Sequence, residues 1–158
     1  MTNQRSVIMH AGEQTIAFSR EFEASAARVF EAHTDAALVS QWIGPRGTQL
    51  TMREFDARTG GSRSYVVSGK GGEWAFYGSF HEVTAPSRLV QTFEFEGNPE
   101  HPSLEIFNFT DLDDGRSRID GLSVFPSVEA RDAMLDLDSG RDEDFERLDE
   151  HLAAHVVV

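Results

Sequence analysis

Apolar and polar positions alternate from Glu13 to Glu23, with Ile16, Phe18, Arg20 and Phe22 on one side and Thr15, Ala17, Ser19 and Glu21 on the other. A period of two predicts a strand. The period then lengthens. Ser25 is placed to cap a helix over Ala26–His33, with Val29 and Phe30 turned inward. Asp35 caps a second short helix carrying Leu38, Val39 and Trp42. Gly44-Pro45 stops it, because proline restricts the residue before it and cannot continue a helix.

Six more alternating runs follow: Thr48–Asp56, Ser62–Ser68, Glu73–Thr84, Arg88–Glu96, Ser103–Leu112 and Ser117–Phe125. Several of the links are short and rich in Gly, Pro, Asp and Ser. Such links permit antiparallel neighbours and forbid parallel crossovers. Ser127 opens a helical region reaching about Ala154, with Gly140 as a point of kinking or interruption. Its apolar stripe reads Leu137, Arg141, Phe145, Leu148 and Leu152. The predicted architecture is α+β: a curved antiparallel seven-stranded sheet wrapped around a long C-terminal helix, with two short helices after the first strand. Residues 1–12 show no period and read as a flexible arm, and residues 13–154 as a single domain.

The chain of 158 residues suits one domain. Its formal net charge of −13, from 14 basic and 27 acidic residues, disfavours nucleic acid and anionic membrane surfaces as partners. No run approaches a membrane span. No apolar leader is visible at the N-terminus, and the expected location is the cytoplasm. The absence of cysteine removes disulfides, thiolate chemistry and cysteine-held zinc. Carboxylates crowd between Asp132 and Glu150. They read as a solvated helix face or as a docking strip for a basic partner.

Several local motifs keep a specific order: Arg20-Glu21-Phe22, Arg28-Val29-Phe30-Glu31-Ala32, Thr34-Asp35, Gln41-Trp42-Ile43-Gly44-Pro45, Gly60-Gly61, Gly78-Ser79-Phe80, Pro86-Ser87-Arg88-Leu89, Phe125-Pro126-Ser127 and Phe145-Glu146-Arg147-Leu148. In that order, over residues 14 to 153, the chain resembles the START-like or SRPBCC superfamily of helix-grip folds. Within it, the chain resembles the family named after the activator of heat-shock-protein-90 ATPase homologue. The resemblance implies a cavity between sheet and C-terminal helix that takes apolar or amphipathic small molecules. Some members of the superfamily are polyketide cyclases or aromatases, and others are co-chaperones. Homodimers are common among similar proteins. The family pattern has aromatics where this chain has His33, Arg63 and Arg141, and a larger apolar residue where it has Gly121, which implies extra room there.

Arg141 lies inside the apolar stripe, and Arg63 shares its strand face with Tyr65 and Val67. A charge on such a face must be paired or wet. Arg141 either carries its head to a rim, pairs with a nearby carboxylate or faces the cavity, and Arg63 either sits at a strand edge with its head in water or faces the cavity; a cavity-facing guanidinium is ready for a bidentate contact to an oxyanion. His33 is either a hydrogen-bonded structural residue or an acid–base group. Gln91 is a polar group on an apolar face. The apolar wall is assigned to Trp42, Trp74, Phe76, Phe93, Phe109 and Phe145, drawn from twelve Phe, two Trp and two Tyr. His151 and His155 have a chelating spacing but no third ligand, and no metal or cofactor is expected. Gly69–Gly72 is a hairpin turn, not a phosphate loop.

These residues predict non-covalent binding of a small amphipathic or apolar molecule with an anionic or polar group. The alternatives are a cyclase/aromatase-like enzyme using His33 and an arginine, and an interaction module regulating a chaperone.

Overall fold

A computed structural model describes residues 5–9, 14–137 and 139–155, with side chains at 14–134 and 141–155. Strand β1 is Arg5–Met9 and β2 is Thr15–Phe22. Helix α1 (Ala26–Thr34) and helix α2 (Ala36–Trp42) follow. Then come β3 (Gln49–Phe55), β4 (Ser62–Gly69), β5 (Gly72–Thr84), β6 (Arg88–Phe95), β7 (Ser103–Asp111) and β8 (Ser117–Val124). Helices α3 (Val128–Leu137) and α4 (Ser139–Ala154) close the described chain.

All the strands form one antiparallel sheet in the order β1-β2-β8-β7-β6-β5-β4-β3. The β2–β8 pairing joins the beginning and end of the sheet's sequence, with Phe18 opposite Gly121. Register shifts at Met52/Glu54 and Phe80/Glu82 disturb the ladder toward the β3 side. Bulges of this kind bend a strand and increase its twist. The curved sheet wraps the C-terminal helix as the residue pattern predicted.

One prediction needs correction. Arg5–Met9 is not an unpaired arm: it lies antiparallel along β2, Arg5 opposite Arg20 through Met9 opposite Ile16, and makes an eighth strand. Five residues are too few for a period to show, and the pairing is set by the otherwise open edge of β2. The rest of residues 1–12 lies outside the described residues. The helical region is interrupted close to Gly140, as expected, and forms α3 and α4, with Asp138 between them outside the described residues. Leu137's side chain, predicted to head the apolar stripe, is also outside them.

Both short helices form where their caps dictate. Ser25 Oγ accepts from Arg28 N at 3.2 Å, and Asp35 Oδ1 accepts from Ala37 N at 2.9 Å and Leu38 N at 3.3 Å. Their inner faces bury Val29, Phe30, Val39 and Trp42. Trp42 Nε1 donates to Ala32 O at 2.9 Å, which locks α2 against α1. On α4, Phe145, Leu148 and Leu152 are buried against the sheet. Phe145 meets Phe18 and Phe22 at ring separations of 5.6 and 5.4 Å and stacks on Trp42 at 6.1 Å.

Candidate functional site

The inner face of the sheet does not close fully on the helices. A cavity of about 430 Å³ remains, bounded by β3 to β8, by α2 and the turn after it, and by α3 and α4. That volume is in the range of small-molecule pockets. Its wall is mostly aromatic. Phe76 stacks on Phe93 at 5.1 Å, and Tyr65 and Phe95 lie 5.5 and 5.3 Å from Phe76. Phe107 and Phe145 continue the wall. Trp74 also lines it, yet is 36 % exposed, so this ring lies between cavity and solvent.

A polar strip crosses this wall. Gln91 on β6 is paired across the ladder with Glu105 on β7, and Glu105 with Ser123 on β8. All three point inward because strand side chains alternate. Gln91 Nε2 donates to Glu105 Oε1 at 2.8 Å, and Arg141 Nη2 reaches Glu105 Oε2 at 3.5 Å from α4. Arg141 also lies over the Phe18 ring, 4.6 Å from its centroid. Gly121 explains why that ring is there: a Cβ on it would fall 2.1 Å from Phe18 Cε1. The room expected at Gly121 is therefore filled by Phe18, which becomes the platform under Arg141.

Arg63 stands beside this strip. It is 6 % exposed, and its guanidinium lies 5.7 Å from the Tyr65 ring, 5.8 Å from Phe80 and 5.9 Å from Phe93. Nη1 donates to Thr92 O at 3.2 Å, while Nε is buried without a hydrogen bond. Gly78, opposite Arg63 on β5, allows this arrangement, because a Cβ there would lie 2.0 Å from Thr92 O. No carboxylate among the described residues lies within salt-bridge distance of Arg63.

His33 is fixed at the end of α1. Its Nδ1 bonds Val29 O at 2.8 Å, and a carbonyl can only accept, so Nδ1 carries the proton. Nε2 is then an acceptor. The ring packs against Trp42, Phe109 and Phe107 at 4.8, 5.4 and 6.0 Å. Burial pushes its pKa from 6.5 down to about 4, assisted by the charges of Arg63 and Arg141. Burial likewise pushes the Tyr65 phenol up to about 12. Both are neutral near pH 7.

Asp144, one turn from Arg141 on α4, also lines the cavity. Burial raises its carboxyl from 3.8 to about 7, against the opposing effect of the hydrogen bond it accepts from Gly44 N at 3.0 Å. The neighbouring side chains hold the same turn: Glu143 accepts from Arg46 N at 2.7 Å, and Arg147 Nη2 donates to Gln41 O at 3.0 Å. Arg147 Nη1 also donates to Gly44 O. Much of the acidic run thus folds back on its own protein. Its outermost pair, Arg46 and Glu150, is exposed.

Of the residues assigned to the site from sequence, the structure gathers His33, Trp42, Arg63, Tyr65, Trp74, Phe76, Gln91, Phe93, Arg141 and Phe145 around the cavity. Phe109 is not among them. It shares a strand face with Phe107, but α1 covers its end of β7, where it meets Phe30 edge-on at 5.2 Å and backs His33. Glu105 and Ser123 were missed, although the alternation that exposed Gln91 also points them inward. Asp144 was missed because it lies inside a run of carboxylates, and its three-residue spacing from Arg141 was the available signal. His151 and His155 stack on each other at 4.3 Å, and no metal-holding group of side chains occurs among the described residues. No described helix is long and apolar enough to cross a membrane.

Solved structures with the same fold include Ms6760 from Mycobacterium smegmatis, 24% identical, with a TM-score of 0.85, covering 96% of this chain and 98% of that one. A Rhodobacter sphaeroides protein is 23% identical with a TM-score of 0.86, covering 96% of this chain and 100% of that one. CalU16 from Micromonospora echinospora is 17% identical with a TM-score of 0.61, covering 94% of this chain and 84% of that one. No curated protein matches the chain. The family model described as "Activator of Hsp90 ATPase homolog 1-like protein" matches residues 23–153, and the chain belongs to that family.

Proposed function

We propose that the protein binds a small amphipathic molecule non-covalently in this cavity, its apolar body on the aromatic wall and a polar or anionic group at the strip of Gln91, Glu105, Arg141 and Arg63. The observation that carries this reading is the pairing of an open, aromatic-lined space with convergent polar side chains. A collapsed core would instead favour a role confined to the outer surface.

Acid–base catalysis is the second reading, favoured by His33, whose Nδ1 proton is committed to Val29 O. A pKa of about 4 makes Nε2 a weak base at neutral pH. Hydrogen-bond acceptance from a ligand is the better use of it. The docking reading of the acidic run is weakened, because Asp144, Glu143 and Asp149 are engaged within the chain.

The test is native mass spectrometry of the protein purified from its own host. A co-purifying small molecule lost on Phe93→Trp substitution, which fills the cavity, is the expected result. A protein that carries no molecule and binds none from a metabolite extract would overturn the reading.

A further inference from the structure

We infer that the cavity selects a singly charged ring carboxylate, with Arg63 as its anchor and Glu105 setting the limit of one charge. This rests on the binding reading above and names its ligand class.

The two cavity arginines differ in what surrounds them. Arg141 has a carboxylate, Glu105, at 3.5 Å and an aromatic platform, Phe18, at 4.6 Å. Glu105 is itself held by Gln91 Nε2 at 2.8 Å, so this negative charge is built into the wall. Arg63 is as deeply buried as a core residue, at 6 % exposure, and has one backbone carbonyl, the Tyr65 hydroxyl and three aromatic faces around it. Cation–π contacts satisfy part of a guanidinium's charge but leave its in-plane donors unused. The buried Nε has no acceptor, and among the described residues no carboxylate neutralises Arg63. An isolated buried cation is costly, and a bound anion relieves that cost.

Charge then bounds the ligand. Below pH 7, where burial keeps Asp144 protonated, Arg63 and Arg141 supply two positive charges among the described residues and Glu105 one negative, while His33 and Tyr65 are neutral. One net positive charge matches a monoanion. A dianion would have to face the Glu105 carboxylate. The guanidinium fork matches a carboxylate, whereas a phosphate monoester brings a second charge that Glu105 opposes. The stacked Phe76–Phe93 pair and Tyr65 favour a flat, apolar ring as the body.

The experiment is isothermal titration calorimetry at pH 6.0, where Asp144 keeps its proton, with three probes of one shape: 2-naphthoate, 2-naphthamide and 2-naphthylmethylammonium. Naphthoate is expected to bind at least about tenfold more tightly than the amide, and the ammonium not at all. Arg63→Gln should bring naphthoate and amide within about threefold. Glu105→Gln, which keeps an acceptor for Gln91, should tighten naphthoate by about threefold or more. An amide bound as tightly as naphthoate, or a preference that survives Arg63→Gln, overturns the inference and leaves the cavity reading standing. Failure of all three probes to bind, with a co-purified molecule still present in the protein from its host, overturns the ring-carboxylate assignment alone. Circular dichroism shows whether Arg63→Gln folds, and Glu105→Gln tests the same charge rule without touching Arg63.

Discussion

Arg20 on β2 and Arg63 on β4 both sit on the inward face of the same sheet, and the two are 3 % and 6 % exposed. Their surroundings differ. Arg20 reaches Asp149 of α4 with two hydrogen bonds, at 2.8 and 3.3 Å, and lies 4.9 Å from the Phe22 ring. Arg63 has rings, the Tyr65 hydroxyl and one carbonyl. Each has a buried Nε without a partner, so an orphan nitrogen alone does not separate them. The carboxylate does. Where α4 lies down on β2, a helix side chain completes the arginine. Where α4 stands away from β4, the cavity intervenes. A buried cation is therefore structural or receptive according to whether the facing layer supplies its counter-charge.

The largest effect is expected from breaking the completed pair. Asp149→Ala leaves Arg20 buried and unpaired, and should lower unfolding free energy on the order of 3 kcal/mol in chemical denaturation. An effect under about 1 kcal/mol would show that Arg20 is not held by this pair. Next is Gly121→Ala. Its Cβ, 2.1 Å from Phe18, must displace the ring beneath Arg141, at a cost of about 2 kcal/mol. Denaturation measures it, and an unchanged midpoint would mean that the platform yields freely.

Arg63→Met should behave unlike Asp149→Ala. It removes a cation that no protein carboxylate neutralises, so stability should change by less than about 1 kcal/mol in either direction. A loss comparable to that of Asp149→Ala would place Arg63 with Arg20 as a structural residue. The last effect is read as a slope with pH rather than at a single pH. Asp144 is raised from 3.8 to about 7. Between those values the folded chain keeps a proton that the unfolded chain has lost, so this group lowers stability as pH climbs from 4 to 7 and adds no slope above.

Asp144→Asn should therefore show a Tm advantage over the parent that grows from pH 4 to 7 and then levels. His33, lowered to about 4, tilts stability the opposite way up to pH 6.5, but it does so in both proteins and cancels. Naphthoate affinity should also fall from pH 6 to 8 in the parent as Asp144 gains charge near Arg141, Arg147 and Glu143, and stay flatter in the variant. A Tm difference independent of pH would remove Asp144 from the cavity's charge balance.

The fold was largely legible along the chain. The caps at Ser25 and Asp35, the stop at Gly44-Pro45 and the period-two runs are local signals, and the structure forms α1, α2 and β2–β8 within a few residues of them. Strand β1 was not legible, because five residues carry no period and their pairing depends on the edge of β2. Within the site, inward parity was enough to place Arg63, Tyr65 and Gln91. The same parity overreached at Phe109, which α1 covers. It was not carried far enough at Glu105, whose significance depends on Arg141 arriving from a helix 36 residues later.

By itself the sequence determined which residues lie on which face, because helix and strand periods are local properties of the backbone. It therefore set two arginines on the apolar side of the sheet. Only the tertiary structure decided their roles. Whether Asp149 meets Arg20, and whether empty space meets Arg63, depends on how α4 crosses the curved sheet. That crossing comes from packing between residues more than a hundred positions apart, such as Phe18 against Phe145, and no local pattern encodes it.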